Sequence, residues 1–197
     1  MDAVPKNRLE AFADGIFAIA ATLLVLNLTV AGNDLGHELR IIWPGYLAYA
    51  LSFITIGIIW VNHHTVMHQV AHVDRFFLMV NVLFLMCIAF IPFPTRLLAQ
   101  YITTSQAEPA ALAYGITLTA TATFFNVIWR YAATGRRLLR HDADQKAVDG
   151  IGRSYLPGPL LYLGATLVAL INPLASGALY VAIGLFYVLE SSIFGRG

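Results

Sequence analysis

The feature that most constrains this chain is a series of apolar stretches, each long enough to cross a bilayer. A hydrocarbon core of about 30 Å takes roughly 20 mostly apolar residues in helical conformation. Such stretches recur at about 11–30, 41–62, 76–98, 110–132, 156–173 and 176–194. Asn172-Pro173, followed by Ala175-Ser176-Gly177, divides the final apolar region into two helices. Pro92 and Pro94 are placed to kink or end the third. Trp43, Tyr46 and Tyr49 open the second stretch, and Trp129 and Tyr131 close the fourth, where amphipathic rings favour the headgroup layer. Only 12% of residues are charged, against about 25% in a soluble domain, so much of the surface faces lipid. The expectation is an all-α protein of six transmembrane helices, one domain over 1–197, in the cell membrane as a multi-pass protein.

Charge orients it. Six crossings put both termini on one side. With them go Lys6, Arg8, Arg75, Arg130, Arg136, Arg137, Arg140, Lys146, Arg153 and Arg196, leaving Arg40 and Arg96 opposite. Ten against two places both termini in the cytoplasm. The cytoplasmic segment over 133–154 reads as a solvated, topology-fixing loop. A net charge of +1 gives no electrostatic case for nucleic acid. A single cysteine, Cys87, excludes an intrachain disulfide. No Walker or GxGxxG pattern, nucleophile elbow or Cys/His zinc array is present, so neither an enzyme nor a cofactor is expected.

The first stretch carries the most information: Arg8-Leu-Glu-Ala-Phe12-Ala-Asp14-Gly15, running into an Ile/Ala/Leu helix. At 100° per residue, Phe12, Gly15, Ile19, Thr22, Leu23 and Leu26 share a stripe, while Asp14 lies on nearly the opposite side from Ile19. An acid in the membrane needs a partner. Arg8, six residues away, does not reach it on one helix. The end of the second stretch, Trp60-Val61-Asn62-His63-His64, lies at the same membrane face and supplies donors.

Arg8, Phe12, Asp14 and Gly15, together with the Trp60 and His63-His64 stretch, resemble the transmembrane protein 175 family of potassium-permeable channels. Ala13 departs from the serine usual there and removes a hydroxyl from the network. The resemblance implies a homotetramer in the lipid bilayer, its pore lined by the first helix. It also implies a constriction of Ile19, Leu23 and Leu26 in place of a Thr-Val-Gly-Tyr-Gly filter, which this sequence lacks. Potassium is then the permeant ion. Thr22 flanks the stripe with a hydroxyl for a partly dehydrated cation, and Arg8, Phe12, Asp14, Trp60, Asn62, His63 and His64 form a supporting hydrogen-bond network. A proton or non-selective cation channel on the same scaffold is the alternative. A secondary transporter fits less well, because paired intramembrane acids are missing. His64, His68 and His72, at i, i+4 and i+8, sit at a spacing that can bind zinc or sense pH.

Overall fold

The computed structural model describes residues 6–30 and 32–194, with side chains through Tyr187. Arg196, counted for the membrane topology, lies outside the described residues. The helices are α1 (Lys6–Leu23), α2 (Leu35–Ile41), α3 (Trp43–Gln69), α4 (Arg75–Phe90), α5 (Pro92–Tyr101), α6 (Ala107–Ala133), α7 (Gln145–Tyr155), α8 (Gly158–Val168) and α9 (Pro173–Phe194). A 3₁₀ turn, Leu24–Asn27, prolongs α1.

Among the described residues, four units are long and apolar enough to cross a membrane: Lys6–Asn27, Trp43–Gln69, Arg75–Tyr101 and Ala107–Arg136. The third contains Pro92 and Pro94, which tighten the turn at Ile91 without ending the crossing. The expected helix over 156–173 is shorter than read. Pro157 starts α8, and the chain turns again after Val168, leaving 11 residues. That is about 16 Å of helix, roughly half the hydrocarbon thickness. Hydropathy continues unbroken through the turn, which is why the sequence reads longer. α9 is apolar over Pro173–Tyr187.

α6 is the centre of the bundle and packs against α4, α5 and α8, while α1 lies across α3 and α4. Close approach needs small residues. Ala13 and Ala20 of α1 are fully buried, so the position where a hydroxyl was missed is simply a packing contact. Gly115 of α6 faces the hydroxyls of Tyr180 and Thr166, and a Cβ there would overlap both. Those hydroxyls belong to a polar layer in the bundle. The Thr95 hydroxyl donates to the Ile91 carbonyl (2.8 Å), Ser52 Oγ lies 2.8 Å from it, and Tyr114 Oη lies 3.1 Å from Ser52. Thr166 donates to the Tyr162 carbonyl, with Tyr180 Oη 3.2 Å from its oxygen. In lipid each polar group must find a protein partner, and these do so across five helices.

One end of the bundle gathers the basic residues. The Lys6 ammonium donates to the carbonyls of Met67 and Val70 at the C-terminus of α3, both at 3.2 Å, where the helix dipole favours a cation. The segment after α6 is not a solvated loop. Leu138 and Leu139 are buried, and backbone bonds from Ala71 N–H to Leu138 O and from Arg140 N–H to Gln69 O clasp it to the end of α3. Arg136, at φ 53°, follows Gly135 in a left-handed turn. Its guanidinium fixes that turn on Gln145 and the Ala143 carbonyl. Asp144 caps α7, which buries Val148. Asp74 caps α4 through the Phe77 N–H and accepts a 2.6 Å bond from the Tyr131 hydroxyl. Partial burial alone would raise the Asp74 carboxyl, but Tyr131, the Phe77 N–H and nearby Arg137 hold it below its ordinary value.

Two outcomes follow from this packing. Gly115→Ala should lower the unfolding midpoint of the detergent-solubilised protein. Overpacking costs about 1–3 kcal/mol, while the gain in helix propensity is at most about 1 kcal/mol; an unchanged midpoint would mean that Tyr180 and Thr166 give way. For Asp74, the depressed carboxyl stabilises the fold above the ordinary carboxylate pKa of about 3.9, and that contribution is lost as pH falls through the lowered folded value. Asp74→Asn should therefore be less stable at pH 7 and show a shallower loss of stability below pH 4, read by thermal unfolding across pH.

Candidate functional site

α1 is buried along one side and bare along the other. Leu9, Ala13, Phe17, Ala20 and Leu24 pack into the bundle. Phe12, Ile19, Leu23 and Leu26 remain 55%, 60%, 41% and 68% exposed within the chain. The wheel places these four along one edge of the bare side. The final turn sharpens the arrangement. An α-helix would offset Leu26 from Leu23 by about 60°, whereas side chains three apart in a 3₁₀ turn eclipse, and Leu24–Asn27 is such a turn. The turn is held from outside by the Asn27 amide, which donates to the Pro92 carbonyl at 3.0 Å. That carbonyl sits just after the kink joining α4 and α5.

Thr22 is also exposed, and its hydroxyl lies 3.0 Å from the carbonyls of both Ala18 and Ile19. The hydroxyl hydrogen is therefore directed back into the helix. The oxygen's other lone pair points outward, so the group can act toward an ion only as an acceptor.

Asp14 lies on the other edge of the bare side. Its Oδ1 accepts a 2.8 Å bond from the Trp60 indole N–H of α3, and the His64 ring is 6.2 Å from the Trp60 ring. The remainder of the expected network separates from this pair. His63 is buried and turned toward α4, with Nε2 3.1 Å from Asn81 Oδ1. It stacks on Phe84 at 5.5 Å and meets Phe17 of α1 at 5.8 Å. Asn81 in turn donates to the Phe77 carbonyl. Asn62 is buried on another side of α3. Arg8 is exposed and makes no hydrogen bond or ion pair among the described residues. The expected single network is thus two pairs, Asp14–Trp60 and His63–Asn81, because residues 62, 63 and 64 leave α3 about 100° apart. Asn81 was missed, although a lone amide within the apolar run from Arg75 to Phe90 was a visible signal.

The histidine row is not a row. α3 ends at Gln69, so His72 lies beyond it, and no group of three or more His, Cys, Asp or Glu among the described residues is placed to hold a metal.

The site thus combines a bare apolar stripe, a tryptophan-tethered acid and a buried histidine–asparagine pair on three adjacent helices. Comparison with known proteins meets the same segment. A family model described as endosomal/lysosomal potassium channel TMEM175 matches residues 8–92. A potassium channel of Chamaesiphon minutus is 41% identical over 192 residues, covering 94% of this chain and 95% of that one. A potassium channel of Streptomyces collinus is 37% identical, covering 92% and 91%. The crystal structure of a lysosomal potassium-selective channel TMEM175 homolog from Chamaesiphon minutus aligns with a TM-score of 0.86 at 40% identity, over 94% of this chain and 97% of that one. The protein is therefore an integral membrane protein with an all-helical channel fold, and it belongs to the TMEM175 family.

Proposed function

We propose that this chain is a potassium-selective or potassium-preferring channel, its whole length a single six-helix channel domain with both termini in the cytoplasm. The relatives named as potassium channels match nearly its full length, and no enzymatic role is proposed. Four copies surround a central pore lined by α1, with Ile19, Leu23 and Leu26 as its constriction.

The observation that carries this reading is the bare stripe on α1. A helix packed on one side into its own bundle leaves Ile19, Leu23 and Leu26 uncovered, and the 3₁₀ turn aligns the last two. A ring of such side chains makes a hydrophobic throat. It conducts only when wide enough to hold water and closes by dewetting. Potassium releases its hydration water more readily than sodium, so a narrow dry throat flanked by Thr22 oxygens favours potassium. The polar pairs then have a positional role. Asp14–Trp60 ties α1 to α3 along one edge, and His63, against Phe17 and Asn81, fixes the packed side. Together they set the rotation of α1 and so decide which residues meet the axis.

The test is purified protein in liposomes, with reversal potentials measured under separate potassium, sodium and proton gradients. A potential that follows potassium is expected; one that follows protons alone would replace this reading with a proton channel. Ile19→Asn should hydrate the throat and move the reversal potential toward that of a non-selective pore. An unmoved potential would take Ile19 out of the constriction. Asp14→Ala strands the Trp60 N–H and removes a charge-assisted bond, a loss of about 1.5–3 kcal/mol. It should reduce tetramer yield or current while leaving selectivity unchanged. Wild-type assembly and current in that variant would contradict the positional role.

A further inference from the structure

Away from α1, the seam between α3 and α9 contains two connected spaces. The inner one is a cavity of about 60 Å³ bounded by α3, α6, α8 and α9, with Asn62, Asn126 and Tyr162 among its lining residues. Asn62 is only 9% exposed, and its amide has no hydrogen-bond partner among the described residues. An amide contains two donor hydrogens and an acceptor oxygen, and burying them unpaired is costly. The nearby Asn126 cannot supply the missing donor, since its nitrogen is already bonded to the carbonyls of Ala122 and Tyr155. Among the described residues this polar group faces a space without a protein partner.

The outer space is an apolar groove of about 400 Å³, walled by Trp43, Leu47, Leu51 and Ile54 of α3 and by Val181 and Leu185 of α9. Thr55 and Gly184 line both spaces and so join them. Gly184 has nothing within 4 Å of where a Cβ would stand, which leaves the passage open. Along α3 the seam runs from Trp43 to Asn62, about 28 Å at 1.5 Å per residue, or nearly the thickness of the hydrocarbon core. Among the described residues no charged side chain lines either space. Water is not the natural occupant of the groove, since the hydrocarbon core holds none to supply it.

We propose that the α3–α9 seam binds one neutral amphiphile, its hydrocarbon tail in the groove and an uncharged, hydrogen-bonding head, hydroxyl or amide, on Asn62. The apolar walls select the tail. With no charged residue among the described lining, an ionised head would be desolvated there without a counter-charge. The unpaired amide of Asn62 selects a head with both a donor and an acceptor.

The experiment is native mass spectrometry of the full chain in detergent, titrated with monooleoylglycerol and, as a tail without a head, 1-octadecene. One monooleoylglycerol per chain is expected. Asn62→Leu keeps the volume of the site but removes its polar partner. It should weaken monooleoylglycerol about tenfold, the equivalent of one or two hydrogen bonds, and leave octadecene unchanged. Val181→Trp fills the groove from a partly exposed position on its wall, and should weaken both. Equal monooleoylglycerol affinity in Asn62→Leu and wild type would overturn the head assignment. Undiminished binding in Val181→Trp would overturn the groove. Loss of oligomeric mass in Val181→Trp would assign the groove to a second copy of the chain and also overturn the proposal. None of these readings depends on ion flux.

Discussion

The hydrocarbon of the bilayer offers no hydrogen bonds, and the interior of this protein is organised around that fact. Every polar side chain carried into the membrane has to be answered by another, or by a backbone carbonyl within reach. Tyr114, Ser52 and Thr95 pass hydroxyl contacts from α6 through α3 to α5 and on to the Ile91 carbonyl between α4 and α5. Thr166 and Tyr180 do the same between α8 and α9, and Gly115 is glycine because those hydroxyls occupy the space beside it. The threonines of α6 return their hydroxyls to carbonyls one turn back. Helix packing is specified by this polar layer as much as by the fit of apolar side chains, which alone gain little from leaving lipid for protein.

The same constraint divides α1. Its packed side sets Ala13 and Ala20, small enough for close contact with α3 and α4, among Leu9, Phe17 and Leu24. Beyond Asp14 its bare side carries only apolar groups and Thr22, whose hydrogen is already bonded. The acid that would be costly on either side sits at the boundary, tethered to an indole from α3. The Asp14–Trp60 bond joins α1 to α3 at that boundary, and the stripe lies on the side that the bundle leaves uncovered.

Much of this was legible in the sequence. Apolar run lengths led to six expected crossings, four of which coincide with helices long and apolar enough to span among the described residues, and the wheel separated Asp14 from the Ile19–Leu26 stripe. Reasoning about which helix ends share a membrane face put Trp60 within reach of Asp14. What stayed hidden depends on information that hydropathy does not contain. A helix facing lipid and one facing protein look alike in composition, so the turn expected at Asn172-Pro173 begins earlier than the apolar run suggests, after Val168. Three consecutive polar residues, Asn62, His63 and His64, read as one cluster until the helix distributed them to three directions. The basic segment after α6 looked solvated because its charges outnumber Leu138, Leu139 and Val148, the residues that decide its fold. The spacing of His64, His68 and His72 assumed a helix that ends at Gln69.

The grip of Lys6 on the end of α3 has a mechanical meaning. Two carbonyls hold one ammonium, and those carbonyls belong to the corner to which the 138–140 segment is laced by backbone bonds. The foot of α1, the α3–α4 corner and the strand-like segment after α6 therefore form one stiff plate at the basic end of the molecule. A helix whose foot is built into such a plate cannot swivel alone. Any turn of α1 about its own axis carries the plate with it, and a force applied to the plate from the aqueous side is delivered as torque to the base of that helix.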